Sequence, residues 1–242
     1  MLTAIIVAGG SSQRMGFDKL LAPLDGRPLV AHAIAAFEQT ESVTDIIVVG
    51  RAERLSDYEE IVRTSGFAKV SAVIPGGPRR QDSVRRGLAQ LGAATEFVAV
   101  HDAARPLVRS DLVERILQLA RSHGGSASAA PVIDTLKRVD ENHVVTGGVA
   151  REKLFAVETP QIFRRDLLEK AYAAVFETGV EVTDEISAVE RVGGKVVLLP
   201  NDEPNFKVTY PADLPLAEFV LRQRALKSAP SGPRQSESPS SF

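Results

Sequence analysis

The sequence predicts a single Rossmann-like α/β domain: a mostly parallel central sheet flanked by helices, with one β-hairpin arm projecting from it. Three observations predict it. Short apolar runs recur without polar alternation, helical periodicity fills the stretches between them, and run after run ends in glycine or a charged residue. Unalternated runs suit strands buried on both faces, as in parallel sheets. Their succession with helical segments is the pattern of a doubly wound fold.

Taken in order, the first strand is Ala4 to Ala8, ending at Gly9-Gly10. Pro28 suits a first helical position, and Leu29, Val30, Ala33, Ile34 and Phe37 then recur at helical spacing. Ile46 to Val49 and Val70 to Ile74 are the next strands, closing at Gly50 and at Pro75-Gly76-Gly77. A helix is predicted over Ser83 to Leu91, a strand over Phe97 to Val100 and a helix over Leu112 to Ala120. Strands follow at Ser128 to Val132 and Val196 to Leu199. Between these two, Asp140-Glu141-Asn142 and Gly147-Gly148 are turn signals among short apolar pieces, so Thr135 to Ala150 reads as the hairpin arm. Thr183-Asp184-Glu185 opens a helix that Gly193 ends, with Ile186 and Val189 facing inward. The domain is expected to span 1–227, and the Ser- and Pro-rich 228–242 to be a disordered tail.

Composition narrows the function classes. Twenty-nine Lys and Arg against 31 Asp and Glu give a net charge of -2, so no bulk field draws the chain to nucleic acid or anionic membrane. Tryptophan is absent and tyrosine sparse, which removes the aromatic platform of single-strand binders. Zero cysteines exclude disulfides, thiolate nucleophiles and Cys-ligated zinc, and suit a reducing cytoplasm. No basic leader precedes the first strand, and no apolar run reaches the ~18 residues of a membrane span. His32, His101, His123 and His143 lack metal-ligand spacing, so no protein-ligated metal is expected.

Ligands of open α/β sheets bind outside the carboxyl ends of strands. Gly9, Gly10 and Arg14 follow the first strand, Gly76, Gly77, Arg80 and Ser83 the third, and Asp102 and Arg105 the fourth. A double-glycine turn lets backbone approach a phosphate, through positive φ where needed, and Arg14 and Lys19 add two cations. The loop is neither a Walker loop nor a dinucleotide fingerprint, since neither Gly-Lys-Ser/Thr nor Gly-x-Gly-x-x-Gly occurs in it. Read from residue type alone, several positions also carry structural readings. Asp102 suits a cap after its strand, Arg105 a surface ion-pair partner, Lys207 a solvated position on an alternating edge strand, and Arg151 a solvated arginine. The Thr183-Asp184-Glu185 triplet reads first as a cap.

The motifs add a resemblance. The loop Ala8 to Lys19 resembles the signature of nucleotidyltransferases with a glycosyltransferase-A-like fold, and by itself also that of molybdenum cofactor guanylyltransferases. Val100-His101-Asp102-Ala103-Ala104-Arg105-Pro106 is similar to the signature of the methylerythritol phosphate cytidylyltransferase family, and Gly76 to Val84 resembles its cytidine-recognition loop. Ala130 to Lys137, Thr159-Pro160-Gln161, Thr183-Asp184-Glu185 and Asn205 to Thr209 match in order, so the resemblance runs from about Leu2 to Arg222. Two departures stand out. The loop lacks the Pro-Ala-Ala-Gly opening and the Pro-Lys-Gln common around the lysine, and Pro78 has no N–H to offer a base.

The resemblance implies that CTP and 2-C-methyl-D-erythritol 4-phosphate are joined with release of pyrophosphate, with Mg²⁺ bound mainly through the CTP phosphates. It implies catalytic roles for Arg14, Lys19, Lys207 and Arg151. Ala8, Gly9, Gly10, Gly77 and Ser83 would contact CTP, and Asp102, Ala103 and Arg105 would lie near the ribose and second substrate. Thr159 and Lys207 would hold methylerythritol phosphate, with Thr135 and Arg151 arriving from the other subunit of a homodimer across the arm. The alternatives are a cytidylyltransferase for another polyol phosphate such as ribitol 5-phosphate, and a non-catalytic nucleotide-binding regulator.

Overall fold

The computed structural model describes residues 1–10 and 13–228. The expected disordered tail and the two serines of the first loop therefore lie outside the described residues, apart from Ser228, which ends the last helix. The chain runs β1 (Leu2–Ala8), β2 (Pro23–Leu24), β3 (Arg27–Pro28), α1 (Leu29–Glu38), β4 (Val43–Gly50), α2 (Leu55–Ser65), β5 (Val70–Pro75), α3 (Arg80–Leu88) and β6 (Phe97–Asp102). It continues with α4 (Ser110–His123), β7 (Gly125–Pro131), β8 (Leu136–Val139), β9 (Val145–Val149), β10 (Phe155–Arg164), α5 (Arg165–Thr178), α6 (Glu185–Arg191), β11 (Val197–Pro200) and α7 (Asp213–Ser228).

Seven strands form the central sheet in the order β11-β7-β10-β6-β1-β4-β5. β1 pairs in parallel with β4 and β6, β4 with β5, and β11 with β7, while β10 runs antiparallel to both its neighbours. The unalternated runs have a direct cause. Ala4, Ile6 and Ala8 enter a core with α1, α2 and α4, while Ile5 enters a second core with α3, α5 and α6 on the other face. Both faces are buried, so every position of β1 is selected for burial; Ala4, Ile5 and Ile6 are fully enclosed. Each isoleucine contributes about 1.5–3 kcal/mol on leaving water.

The registers align the strand ends. Ala8 stands opposite Gly50, Gly50 opposite Pro75, and Val7 opposite Asp102. Gly50 is required by packing, since a Cβ there would lie 2.3 Å from the Tyr58 ring. The Tyr58 hydroxyl in turn donates to the Ala8 carbonyl at 3.2 Å, fixing the end of β1. The loops after β1, β5 and β6 thus leave the sheet at the same end.

The structure corrects several local expectations. α3 begins at Arg80, three residues before the predicted Ser83, because Asp82 turns back to accept from the Arg79 N–H at 3.0 Å and caps the helix there. Lys207 is not on a strand; Asn205 to Thr209 is irregular backbone held at Val208 N–H by the Ala104 carbonyl, 2.8 Å away. The predicted hairpin is present as β8 and β9, which pair with each other rather than with the main sheet.

Candidate active site

A cavity of about 350 Å³ opens above these strand ends, lined by Gly9 and Gly10 after β1, Gly77 to Arg80 and Ser83 around the start of α3, Asp102 and Ala104 at the end of β6, and Lys19 and Lys207. The first loop brings its glycines to the wall without left-handed backbone: neither is among the described positive-φ glycines, whereas Gly16 is, at φ 73°. A Cβ at Gly10 would meet no protein atom within 4 Å. At the opposite wall Ser83 Oγ accepts the Gly77 N–H at 3.1 Å, holding the β5–α3 turn against its helix. Gly77 has no room for a side chain, since a Cβ would sit 2.3 Å from Asp82 Cβ.

The two lysines reach the cavity from distant parts of the chain and are each fixed by one bond. Lys19 is only 8% exposed, and its Nζ donates to the Val208 carbonyl at 2.8 Å. Burial pushes its proton affinity below the ordinary lysine range, and the neighbouring cations Lys207 and Arg14 push it further. Lys207 Nζ donates to Asp102 Oδ2 at 2.8 Å. Arg14 is exposed beside the rim, its guanidinium 5.5 Å from the centre of the Tyr210 ring. Both cations of the first loop therefore lean on the segment that carries Lys207.

Asp102 does not cap a helix. Arg80 Nε donates to Oδ1 at 3.0 Å while Lys207 takes Oδ2. Burial opposes its charge, but Arg80 and Lys207 outweigh that and hold the carboxyl well below the usual carboxylate range. Behind Arg80 lies Glu185, fully buried, accepting from Nη1 at 2.7 Å and from Nη2 at 3.0 Å. Asp184 caps α6 through the Ser187 N–H at 2.9 Å, so the cap predicted for the triplet belongs to Asp184 while Glu185 serves the site. Arg105 does not pair with Asp102 either. It donates to the Asn205 carbonyl at 2.9 Å and lies 4.0 Å from buried Glu158.

Thr159 and His101 underpin Asp102. The Thr159 hydroxyl oxygen accepts the Asp102 N–H at 3.0 Å and is 3.1 Å from His101 Nδ1, and His101 Nε2 faces the Arg105 carbonyl at 3.1 Å. A carbonyl only accepts, so Nε2 carries the proton and Nδ1 takes the threonine hydroxyl. Burial lowers His101 to about 4, against the opposing pull of Asp102. The sign follows directly. The unfolded ring binds a proton below about pH 6.5 while the native ring refuses it until about pH 4. Stability therefore falls as pH drops through that window, by up to ~1.4 kcal/mol per pH unit from this group. His32, lowered by its own burial, adds in the same sense. Thermal unfolding between pH 7.5 and 5 is expected to show the decline, and His101→Gln to flatten it; an unchanged slope would remove His101 as its source.

Apart from Arg14, exposed and outside the cavity lining, the sequence-predicted residues fall into three groups. Gly9, Gly10, Lys19, Gly77, Ser83, Asp102 and Lys207 line one cavity. Ala8, Ala103, Arg105 and Thr159 lie behind or beside its wall, Ala103 being tied by its N–H to the Val7 carbonyl at 3.0 Å. Thr135 and Arg151 lie on the arm, exposed and outside the cavity lining of their own chain, with Arg151 Nη1 donating to the Ile133 carbonyl. Of the two buried carboxylates behind the site arginines, Glu185 stood in a triplet read first as a cap and only second as part of the site, and Glu158 escaped sequence reasoning. The only signal for Glu158 is an acidic residue beside a motif threonine, in Glu158-Thr159. No helix among the described residues is long and apolar enough to cross a membrane.

Comparison with known proteins identifies the family. The profile of the IspD family, 2-C-methyl-D-erythritol 4-phosphate cytidylyltransferase, matches residues 2–223. A relative of that name from Desulforamulus reducens is 41% identical over 226 residues, covering 92% of this chain and 97% of its own. One from Dehalococcoides mccartyi is 38% identical, covering 91% and 96%. The crystal structure of 2-C-methyl-D-erythritol 4-phosphate cytidylyltransferase from Thermus thermophilus superposes with a TM-score of 0.75 at 30% identity, over 90% of this chain and 98% of that one.

Proposed function

The chain belongs to the 2-C-methyl-D-erythritol 4-phosphate cytidylyltransferase family and is a nucleotidyltransferase of the CTP-dependent step of the non-mevalonate isoprenoid pathway, and from that premise we propose how its cavity divides the work. CTP lies across the β1 and β5 ends, its triphosphate over Gly9, Gly10, Arg14 and Lys19 and its base beside Gly77 and Ser83. Methylerythritol 4-phosphate enters on the side of Asp102, Arg105, Thr159 and Lys207. The observation that carries this reading is the convergence of Lys19 and Lys207 on one glycine-lined cavity, each ammonium already fixed by a bond of 2.8 Å.

An oxygen of the 4-phosphate attacks the α-phosphorus of CTP in line. The bond from the α-phosphorus to its bridging oxygen breaks, and pyrophosphate leaves with the electron pair. The nucleophile is an anion at neutral pH, so no side chain need remove a proton. Catalysis then consists of positioning and charge stabilisation. Lys19 and Arg14 face the charge that builds on the triphosphate, and their fixed placement spares reorganisation during the reaction. Magnesium fits this site as an ion carried by the nucleotide. No group of three His, Cys, Asp or Glu side chains gathers among the described residues, and the one carboxylate lining the cavity, Asp102, is engaged by Arg80 and Lys207. Bound to the triphosphate, the metal supplies neutralisation of phosphate charge. Substrates this polar, and a chain without cysteine, support a cytoplasmic location.

The arm supports a homodimer. Ile133, Val144 and Val145 are 78%, 59% and 59% exposed on and beside a hairpin that packs on little but itself, and clustered exposed apolar residues mark an interface. Thr135 and Arg151 would act on the partner's cavity. Pyrophosphate release tests all of this. Wild type is expected to need CTP together with methylerythritol 4-phosphate, and to fail with GTP or with ribitol 5-phosphate. A mixture of Lys19→Ala and Arg151→Ala chains, each inactive alone, should recover up to about a quarter of wild-type activity, because each mixed dimer holds one unmutated site. No recovery, with mixed dimers shown to form, would place Arg151 in its own chain's site or in none.

A further inference from the structure

Asp102 is bracketed by two cations that have different supports. Lys207 reaches it from irregular backbone with its side chain 42% exposed. Arg80 reaches it from the first turn of α3, and only its Nε is spent there. The fork end of the same guanidinium is held by Glu185 through two parallel bonds, and the Glu185 side chain is wholly enclosed. Glu185 is itself gripped from behind. The Tyr172 hydroxyl of α5 donates to Oε1 at 2.9 Å, and the Glu185 N–H donates to Gln161 Oε1 at 3.1 Å. None of Glu185, Tyr172 and Gln161 lines the cavity.

A bidentate carboxylate fixes the plane of a guanidinium as well as its position. With its fork held, Arg80 can aim Nε at Asp102 in one direction only, and Asp102 then turns its second oxygen to Lys207. We propose that Glu185 is a positioning residue for the transfer reaction. It sets the place of the Lys207 ammonium through Arg80 and Asp102 without touching either substrate. The inference rests on the assignment of Lys207 to the second substrate, and it extends the site from the cavity wall to the buried face of α5.

The test is steady-state kinetics of Glu185→Gln, which keeps the size of the side chain and removes the charge and one acceptor. kcat/KM for methylerythritol 4-phosphate is expected to fall about 10- to 100-fold, as small displacements of positioned groups do, with KM for CTP moved much less. Arg80→Lys, which cannot form the two parallel bonds, should give the same profile. Tyr172→Phe, a milder change remote from the cavity, should give a several-fold loss in the same parameter and serves where Glu185→Gln does not fold. The decisive comparison is with Lys207→Met. If Glu185 works through Lys207, adding Glu185→Gln to Lys207→Met costs little more than Lys207→Met alone. Losses that multiply, or wild-type kinetics in folded Glu185→Gln and Tyr172→Phe, would overturn the proposal and leave Glu185 a purely structural anchor. Wild-type kinetics in Lys207→Met would overturn the site assignment itself, and is a different result from either.

Discussion

Lys19→Ala is expected to lower turnover by roughly 10²–10³-fold while the protein remains folded, the range seen when one preorganised charge-stabilising donor is removed from a site. The reasoning starts from burial. Lys19 is 8% exposed and spends one of its three N–H groups on the Val208 carbonyl, which leaves two for the ligand. A charge with few waters around it acts through a lower effective dielectric than a surface lysine, so each bond it makes to a developing oxyanion is worth more. Its placement among Lys207 and Arg14 raises the free energy of the unliganded cluster, as the lowering of its proton affinity by burial and then by these cations records. A triphosphate relieves that repulsion. Lys19→Met separates charge from packing, because it fills nearly the same volume without the ammonium. Both variants should lose turnover alike, and the lost bond to Val208 should cost only about 1 kcal/mol of stability. Turnover of Lys19→Met near that of wild type would remove Lys19 from the reaction.

Much of the fold was legible because its strands are buried on both faces. The runs at Ala4, Ile46, Val70 and Phe97 all became strands of one sheet, and the ends of those strands carry the cavity. β10 was not legible, and for a physical reason. Its middle holds Glu158, Thr159 and Gln161, all buried, and its pairing with β7 shifts register between Val157 and Gln161. Polar residues buried for the sake of hydrogen bonds to the site break both the apolar run and the alternation by which a strand is recognised. α5 did carry a signal, since Leu168, Ala171, Tyr172 and Val175 follow helical spacing and are all buried. It carries none of the motif residues of the site. Lys207 misled in the opposite way. Its apolar neighbours imitate strand alternation, yet the segment makes no ladder, because the Asn205 side chain and the Val208 N–H bond to Thr159 and Ala104 carbonyls instead. The partners of Asp102 lie 22 and 105 residues away along the chain, a pairing that no local spacing encodes.

That irregular segment leads to the largest stability effect expected of a single substitution near the site. Glu158 is 7% exposed, and one of its oxygens, Oε2, accepts from Ser128 Oγ at 2.7 Å, Asn201 Nδ2 at 3.1 Å and Asn205 Nδ2 at 3.1 Å. Its other oxygen is the nearest counter-charge to Arg105. Asn205 spends its second N–H on the Thr159 carbonyl at 2.9 Å, so one carboxylate ties β7, β10 and the 205–209 segment into a single knot. Glu158→Leu keeps the volume but orphans three buried donors and removes the carboxylate 4.0 Å from a largely buried arginine. Breaking a buried pair from one side costs about 3–5 kcal/mol, a large share of the 5–15 kcal/mol typical of a whole domain. Urea unfolding is expected to show a loss of that order for Glu158→Leu. Glu158→Gln, which can keep one acceptor oxygen for the three donors but loses the charge and the second acceptor, should fall in between. Because Lys207 and the Val208 carbonyl that holds Lys19 ride on this segment, the folded fraction of either variant should also show a raised KM for methylerythritol 4-phosphate. A Glu158→Leu protein within about 1 kcal/mol of wild type would mean that water replaces the carboxylate at the knot, and that the segment holds its shape through Val208 and Ala104 alone.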